Sequence, residues 1–280
     1  YSAKQRANKP LKLGISTTGH TLPDIEKLND EHQVDFLELG ISTIENAKQI
    51  IDQLGKSAFR TIHCLPFLKK PELNFMMNPC RRPVEAAEIA AKMISRAEAL
   101  GINYQLYSIH AGLLGEIPGP REFKVKDRIT IEEGIENLKA FQRKLADAEK
   151  TIIENIYGWN KESPAMGMTD NELKEINKIF PLLLDLGHAA VNCEIFLKRK
   201  LDELNVDDLD IREIHISFLK PRGPPPWDHS GYLENRVNQR IIGKLKETLD
   251  TRPGIPVVLE ISAPYKIITE NIRLLRDRLG

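Results

Sequence analysis

Residues 182–189 read Leu-Leu-Leu-Asp-Leu-Gly-His-Ala, and this stretch carries the reading of the fold. Three leucines close on Asp185, and a helical segment can begin directly after it. A short apolar run of this kind reads as a buried strand. An acid at its C-terminal end either caps the next helix or serves chemistry.

Comparable β-branched and apolar runs recur along the whole chain, at residues 11–16, 35–39, 60–63, 105–110, 151–154, 182–185, 213–217 and 256–261. Between them lie stretches with helical periodicity, clearest at 83–100 and 129–150. Pro23, Pro83 and Pro264 stand where first helical turns should begin, a favourable place for proline. Strand–helix alternation predicts a parallel sheet, and eight repeats predict closure into a single (β/α)8 TIM barrel. An open doubly wound sheet is the rival architecture. The 280 residues suit one barrel, which typically needs ~250. The expected organisation is one barrel domain over 1–280, with residues 1–10 a polar N-terminal extension.

Composition narrows the partners. Lys plus Arg equals Asp plus Glu at 40 each, so bulk charge points to neither nucleic acid nor membrane, although a neutral average can hide a local basic groove. Cys64, Cys80 and Cys193 are odd in number and widely spaced. They suggest no disulfide framework and favour a reducing cytoplasm. The longest apolar runs fall well short of the ~20 residues of a membrane span.

The chemistry-bearing residues sit at strand ends. His63, His110, Glu154, Asp185 and His215 each end or nearly end a run, and Glu260 stands one residue before the end of the eighth. In a parallel barrel every C-terminal strand end opens onto one face, where active sites are built. Each residue alone has a plainer reading as a hydrogen-bonded core histidine or a helix cap. Two Glu and one Asp buried together without counter-charge would cost several kcal/mol per ion. A cation removes that cost, so the joint pattern predicts one or more bound divalent metals. Mixed carboxylate and imidazole donors suit Mn²⁺, Zn²⁺, Fe²⁺ or Co²⁺ better than Ca²⁺.

Six stretches carry a family resemblance: Ile62-His63-Cys64-Leu65-Pro66-Phe67, Ser108-Ile109-His110-Ala111-Gly112, Ile153-Glu154-Asn155, Leu183-Leu184-Asp185-Leu186-Gly187-His188-Ala189, Ile214-His215-Ile216-Ser217 and Val258-Leu259-Glu260. In this order they resemble the xylose-isomerase-like barrel superfamily, which holds sugar isomerases, ketose 3-epimerases and endonuclease IV. The resemblance implies that Glu154, Asp185, His215 and Glu260 form a shared mononuclear cage. It also implies that His63 and His110 match the imidazoles binding a second metal in endonuclease IV. That family's third metal uses a His three residues after the Asp, which His188 fits, and an Asp-x-His. Here Asp228 and His229 are adjacent, which departs from the pattern. Multinuclear non-haem iron oxidases share much of the same cage.

The leading expectation is a metal-dependent sugar or sugar-phosphate isomerase or epimerase. Glu154 and Glu260 would exchange base and acid roles across the substrate, beside a metal acting as Lewis acid. Candidate substrate-binding residues are His188, Arg222, which suits a phosphate or carboxylate, and Glu38. The alternative is an endonuclease IV-like phosphodiesterase acting on abasic DNA, and a multinuclear iron oxidase is third. A small-molecule partner, no membrane and a possible homo-oligomer complete the expectation. His20, in the first loop, is placed to reach the mouth.

Overall fold

A computed structural model describes residues 10–18, 20–31, 33–41, 44–55, 59–64, 67–70, 73–115, 128–158, 164–220 and 229–279. In chain order the strands are β1 (Lys12–Ser16), β2 (Phe36–Ile41), β3 (Phe59–Cys64), β4 (Phe67–Lys70), β5 (Leu73–Met76), β6 (Leu106–His110), β7 (Thr151–Glu154), β8 (Leu182–Asp185), β9 (Ile211–Ile216) and β10 (Pro256–Leu259). All except β4 and β5 pair in parallel, and β1 pairs with both β2 and β10, so the barrel is closed. The expected (β/α)8 architecture is therefore observed. The proposed extension at residues 1–10 lies almost wholly outside the described residues.

The α-helices are α1 (Leu22–Asp30), α2 (Ile44–Leu54), α3 (Pro83–Ala99), α4 (Ile131–Gln142), α5 (Asp170–Asn177), α6 (Leu186–Ala190), α7 (Arg236–Thr251) and α8 (Tyr265–Leu279), and a π-helical segment, Val191–Leu197, continues α6. Their starts follow local chemistry. Thr130 and Glu133 form a reciprocal capping box at α4. Thr21, Thr169 and Asn235 cap α1, α5 and α7 with their side chains. Pro23 sits in the first turn of α1 and Pro83 opens α3.

Two sequence expectations are corrected. The helix expected to run to residue 150 ends at Gln142. Lys144 and Leu145 then donate to Phe141 and Gln142 carbonyls three residues back, which tightens the chain and turns it toward β7. The antiparallel β4–β5 hairpin, inserted between β3 and β6, was not anticipated. Its β4 begins three residues after β3 ends, so the two strands merge in a sequence scan.

The main core is an apolar layer between barrel and helices, and a small second cluster gathers Leu113, Ile156, Ala165 and Met168. Leu13, Ile15, Leu37, Ile62, Ile109, Ile153, Leu184, Ile214 and Leu259 are fully buried strand residues. Each contributes roughly 1.5–3 kcal/mol relative to exposure. The alternate residues point inward, as strand periodicity requires, and many of those are polar. Among the described residues, no helix is long and apolar enough to cross a membrane.

Candidate metal centre

Glu154 is the last residue of β7 and is wholly buried. Register places it between His110 on β6 and Leu183 on β8. Its two oxygens face different imidazoles. Oε2 lies 3.4 Å from His63 Nδ1 and 3.3 Å from His110 Nε2, whereas Oε1 lies 3.2 Å from His188 Nδ1 and 3.9 Å from His215 Nδ1. Neither oxygen has a hydrogen-bond partner. Two donors bound tetrahedrally to one ion at ~2.1 Å stand about 3.4 Å apart, which matches the Oε2 distances to His63 and His110.

Asp185 serves two purposes from one position. Its Oδ1 accepts the His188 backbone N–H at 2.6 Å and caps α6, while its Oδ2 is buried and has no hydrogen-bond partner. The capping reading of this residue is thus observed at Oδ1, and Oδ2 is the oxygen left over for chemistry. Asn155 clasps the strand end from β7: its side chain donates to the Asp185 carbonyl at 2.9 Å and accepts the Asp185 N–H at 2.8 Å. Its own carbonyl lies 2.8 Å from His188 Nδ1. The proton on that nitrogen is donated to the carbonyl, which leaves the lone pair on Nε2. Tyr157 packs edge-on against the same ring, with centroids 5.1 Å apart.

His215 enters from β9, opposite Asp185 in register. Its Nδ1 is 3.0 Å from Glu260 Oε2 and its Nε2 is 2.9 Å from Glu38 Oε2. Glu260 directly follows β10, and its N–H still bonds to Ile216. Ligand atoms of Glu154, Asp185, His215 and Glu260 all lie within 4.8 Å of one another, and so do those of His63, His110 and Glu154. Glu154 belongs to both groups.

The electrostatics follow from burial opposed by histidine. Burial pushes the Glu154 carboxyl up, but His110 and His63 more than offset it and hold it well below the usual range. Burial also raises Glu260, and His229 with His215 reverses that to a net lowering. At Asp185 burial wins, and its carboxyl is pushed up to about 6. Burial lowers His110. Among the described residues, the ion pairs of these carboxylates are all to histidines. Orphaned oxygens in a carboxylate–imidazole set fit a divalent transition metal.

The structure brings His63, His110, Glu154, Asp185, His188, His215 and Glu260 together at the C-terminal mouth. His229 joins them: its ring centroid is 5.7 Å from that of His188, and its Nδ1 is 3.2 Å from the Glu260 carbonyl. It holds a left-handed φ of 55°. Arg222 and Asp228 lie outside the described residues. Glu38 sits three residues before the end of β2, wholly buried against the inner side of His215. His20 is half-buried; burial lowers its pKa against the opposing charges of Asp24 and Glu260, and both ring nitrogens lack hydrogen-bond partners.

Sequence reasoning missed Glu213. It is wholly buried on β9 and stands 3.5 Å from His215 Nε2. The available signal was its position two residues before His215, on the same face of a strand. Ser108, whose Oγ is 2.7 Å from His63 Nδ1, was also missed as a supporting residue.

No protein-family model and no curated protein match the chain. Solved structures do. Endonuclease IV from Thermus thermophilus aligns with a TM-score of 0.62 at 13% identity, covering 96% of this chain and 98% of that one. A xylose isomerase domain-containing protein from Salmonella typhimurium gives 0.60 at 12%, covering 97% and 98%. The IolI protein, solved with a zinc atom, gives 0.60 at 14%, covering 96% of each chain. Likeness at this identity is likeness of fold: the chain has the fold of the xylose-isomerase-like (β/α)8 barrels.

Proposed function

We propose that this chain is a metal-dependent enzyme with a dinuclear centre bridged by Glu154, and that it hydrolyses phosphodiesters. The observation that carries the reading is the division of Glu154, with Oε2 toward His63 and His110 and Oε1 toward His188 and His215. When bound, paired ions supply Lewis acidity, activating water and drawing charge from phosphoryl oxygens. His63 and His110 would hold one position, and Asp185, His215 and Glu260 the other. Glu154 would contribute one oxygen to each position. Asp185 offers one oxygen because its cap bond commits the other. His188 presents Nε2, with its orientation set by Asn155 and Tyr157. Endonuclease IV, a structural neighbour, belongs to this class of chemistry.

The second reading is the isomerase or epimerase expected from strand ends. Glu154 and Glu260 do share one four-residue group at the mouth, and a xylose isomerase domain is among the neighbours. Proton transfer near neutrality is best served by groups titrating near the working pH. Both carboxylates are instead held low by histidines, which favours ligand roles.

One set of measurements separates the readings. Elemental analysis gives metal identity and ions per chain. A duplex with an abasic site should be nicked, with activity falling as salt rises because phosphate contacts release counterions. Deuterium uptake from heavy water into ketoses or their phosphates, without nicking, would reverse the order. Iron as the sole metal, with oxygen consumption and no nicking, would move the assignment to an oxidase.

A further inference from the structure

The layer of inward side chains beneath the mouth contains two more carboxylates. Glu38 on β2 and Glu213 on β9 are both wholly buried. One oxygen of each lies within 4.8 Å of the other and of His215 Nε2. Nε2 is 2.9 Å from Glu38 Oε2 and 3.5 Å from Glu213 Oε1. This is the opposite side of the ring from Nδ1, which faces Glu260 and the mouth.

Three carboxylate oxygens here, Glu38 Oε1 and both oxygens of Glu213, have no hydrogen-bond partner. A second group points the same way. Thr61 on β3 is 1% exposed, pairs with Glu38 in register, and has an unpartnered hydroxyl. Among the described residues, the only ion-pair partner of either acid is His215. A single imidazole that also faces Glu260 can balance one of these carboxylates, and burial raises the other, Glu213, which is left either to hold a proton or to meet a further cation. Apolar side chains of similar volume would be less costly at both positions, so the retained acids call for a cation.

We propose that this floor binds a further divalent transition-metal ion through Glu38, Glu213 and Nε2 of His215. His215 then bridges two centres, with Nδ1 toward the mouth ion and Nε2 toward the floor ion. Both ring protons are released to solvent as the two nitrogens become ligands. Carboxylate and imidazole donors spaced in this way suit Zn²⁺, Co²⁺ or Fe²⁺. The inference rests on the mouth reading only through the shared His215, and the two can fail separately.

The test is metal counting and anomalous diffraction on the full chain loaded with Co²⁺ or Zn²⁺. Wild type should carry one more ion per chain than Glu213→Leu or the near-isosteric Glu213→Gln. An anomalous peak should lie on the Nε2 side of His215, at ~2.0–2.2 Å from Glu213 and Glu38 oxygens. Asp185→Asn should deplete the mouth and keep the floor peak. Should both Glu213 variants fail to fold, the wild-type anomalous map decides alone. A mouth peak with nothing between Glu38 and Glu213 overturns the floor site and leaves the mouth reading standing. A floor peak with an empty mouth does the reverse.

Discussion

Glu38 Oε2 lies 2.9 Å from Nε2 of His215, although the residues are 177 positions apart in the chain. The contact fixes the ring so that Nδ1 points to Glu260 and the mouth. A carboxylate behind a ligand histidine holds its orientation and raises its basicity. Glu38→Gln should therefore weaken metal binding at the mouth by ~10–100-fold, although Glu38 is not a mouth ligand. Competition titration against a chromophoric chelator measures this. Unchanged affinity at the mouth would show that the Glu38 contact does not tune His215 as a mouth ligand.

His63→Ala and His110→Ala should each lower the metal content by one ion per chain and leave the remaining ions in place. They draw on Oε2 of Glu154 only, whereas the other ion would use Oε1 and the Asp185 group. Elemental analysis of the purified variants gives the count. Full occupancy in both variants would refute the dinuclear arrangement.

The capping role of Asp185 makes its variants separable. Asp185→Ala should lose metal and, for the metal-free protein compared at pH 4, where the wild-type carboxyl is protonated, also stability, by ~1 kcal/mol for the cap, since Oδ1 accepts the His188 N–H. Asp185→Asn retains a capping oxygen and should lose metal with a smaller fall in Tm. Equal Tm for the two variants would show that the cap contributes nothing.

Stability of the metal-free protein should depend on pH through Asp185, whose carboxyl burial raises from 3.8 to about 6. Between those values the folded state binds more protons than the unfolded state, so stability falls as pH rises through the window. The shift corresponds to about 3 kcal/mol. Thermal unfolding at pH 4 and pH 7 should show a larger loss for wild type than for Asp185→Asn. Metal binding needs the ionised form, so affinity should weaken as pH falls below about 6.

Gly112 has a φ of +103°, and a Cβ there would stand 2.2 Å from Asn78 Oδ1 and 3.2 Å from Cys80 Sγ. Gly112→Ala should cost ~1–3 kcal/mol from backbone strain together with displacement of Asn78. A Tm within a degree of wild type would contradict this.

Much of the fold and site was legible because both are written locally. Alternation of short apolar runs with helical stretches reports which backbone states are favoured, and β7 and β8 occur at the expected boundaries. The strand-end positions of His63, His110, Glu154, Asp185 and His215 follow from the same pattern. The β4–β5 hairpin escaped because its start lies against the end of β3, and the early end of α4 because helical periodicity continues past Gln142.

The sequence by itself determined that carboxylates and imidazoles would gather at one end of a parallel barrel, since parallel strands bring their C-terminal ends to one face. Only the tertiary structure decided how they divide. Closure and register set the depth and direction of each inward side chain. They turned one oxygen of Glu154 to each imidazole pair, and they placed Glu38 and Glu213 beneath His215. Those relations join residues distant in the chain through the geometry of the closed sheet, and no local pattern of residues contains them.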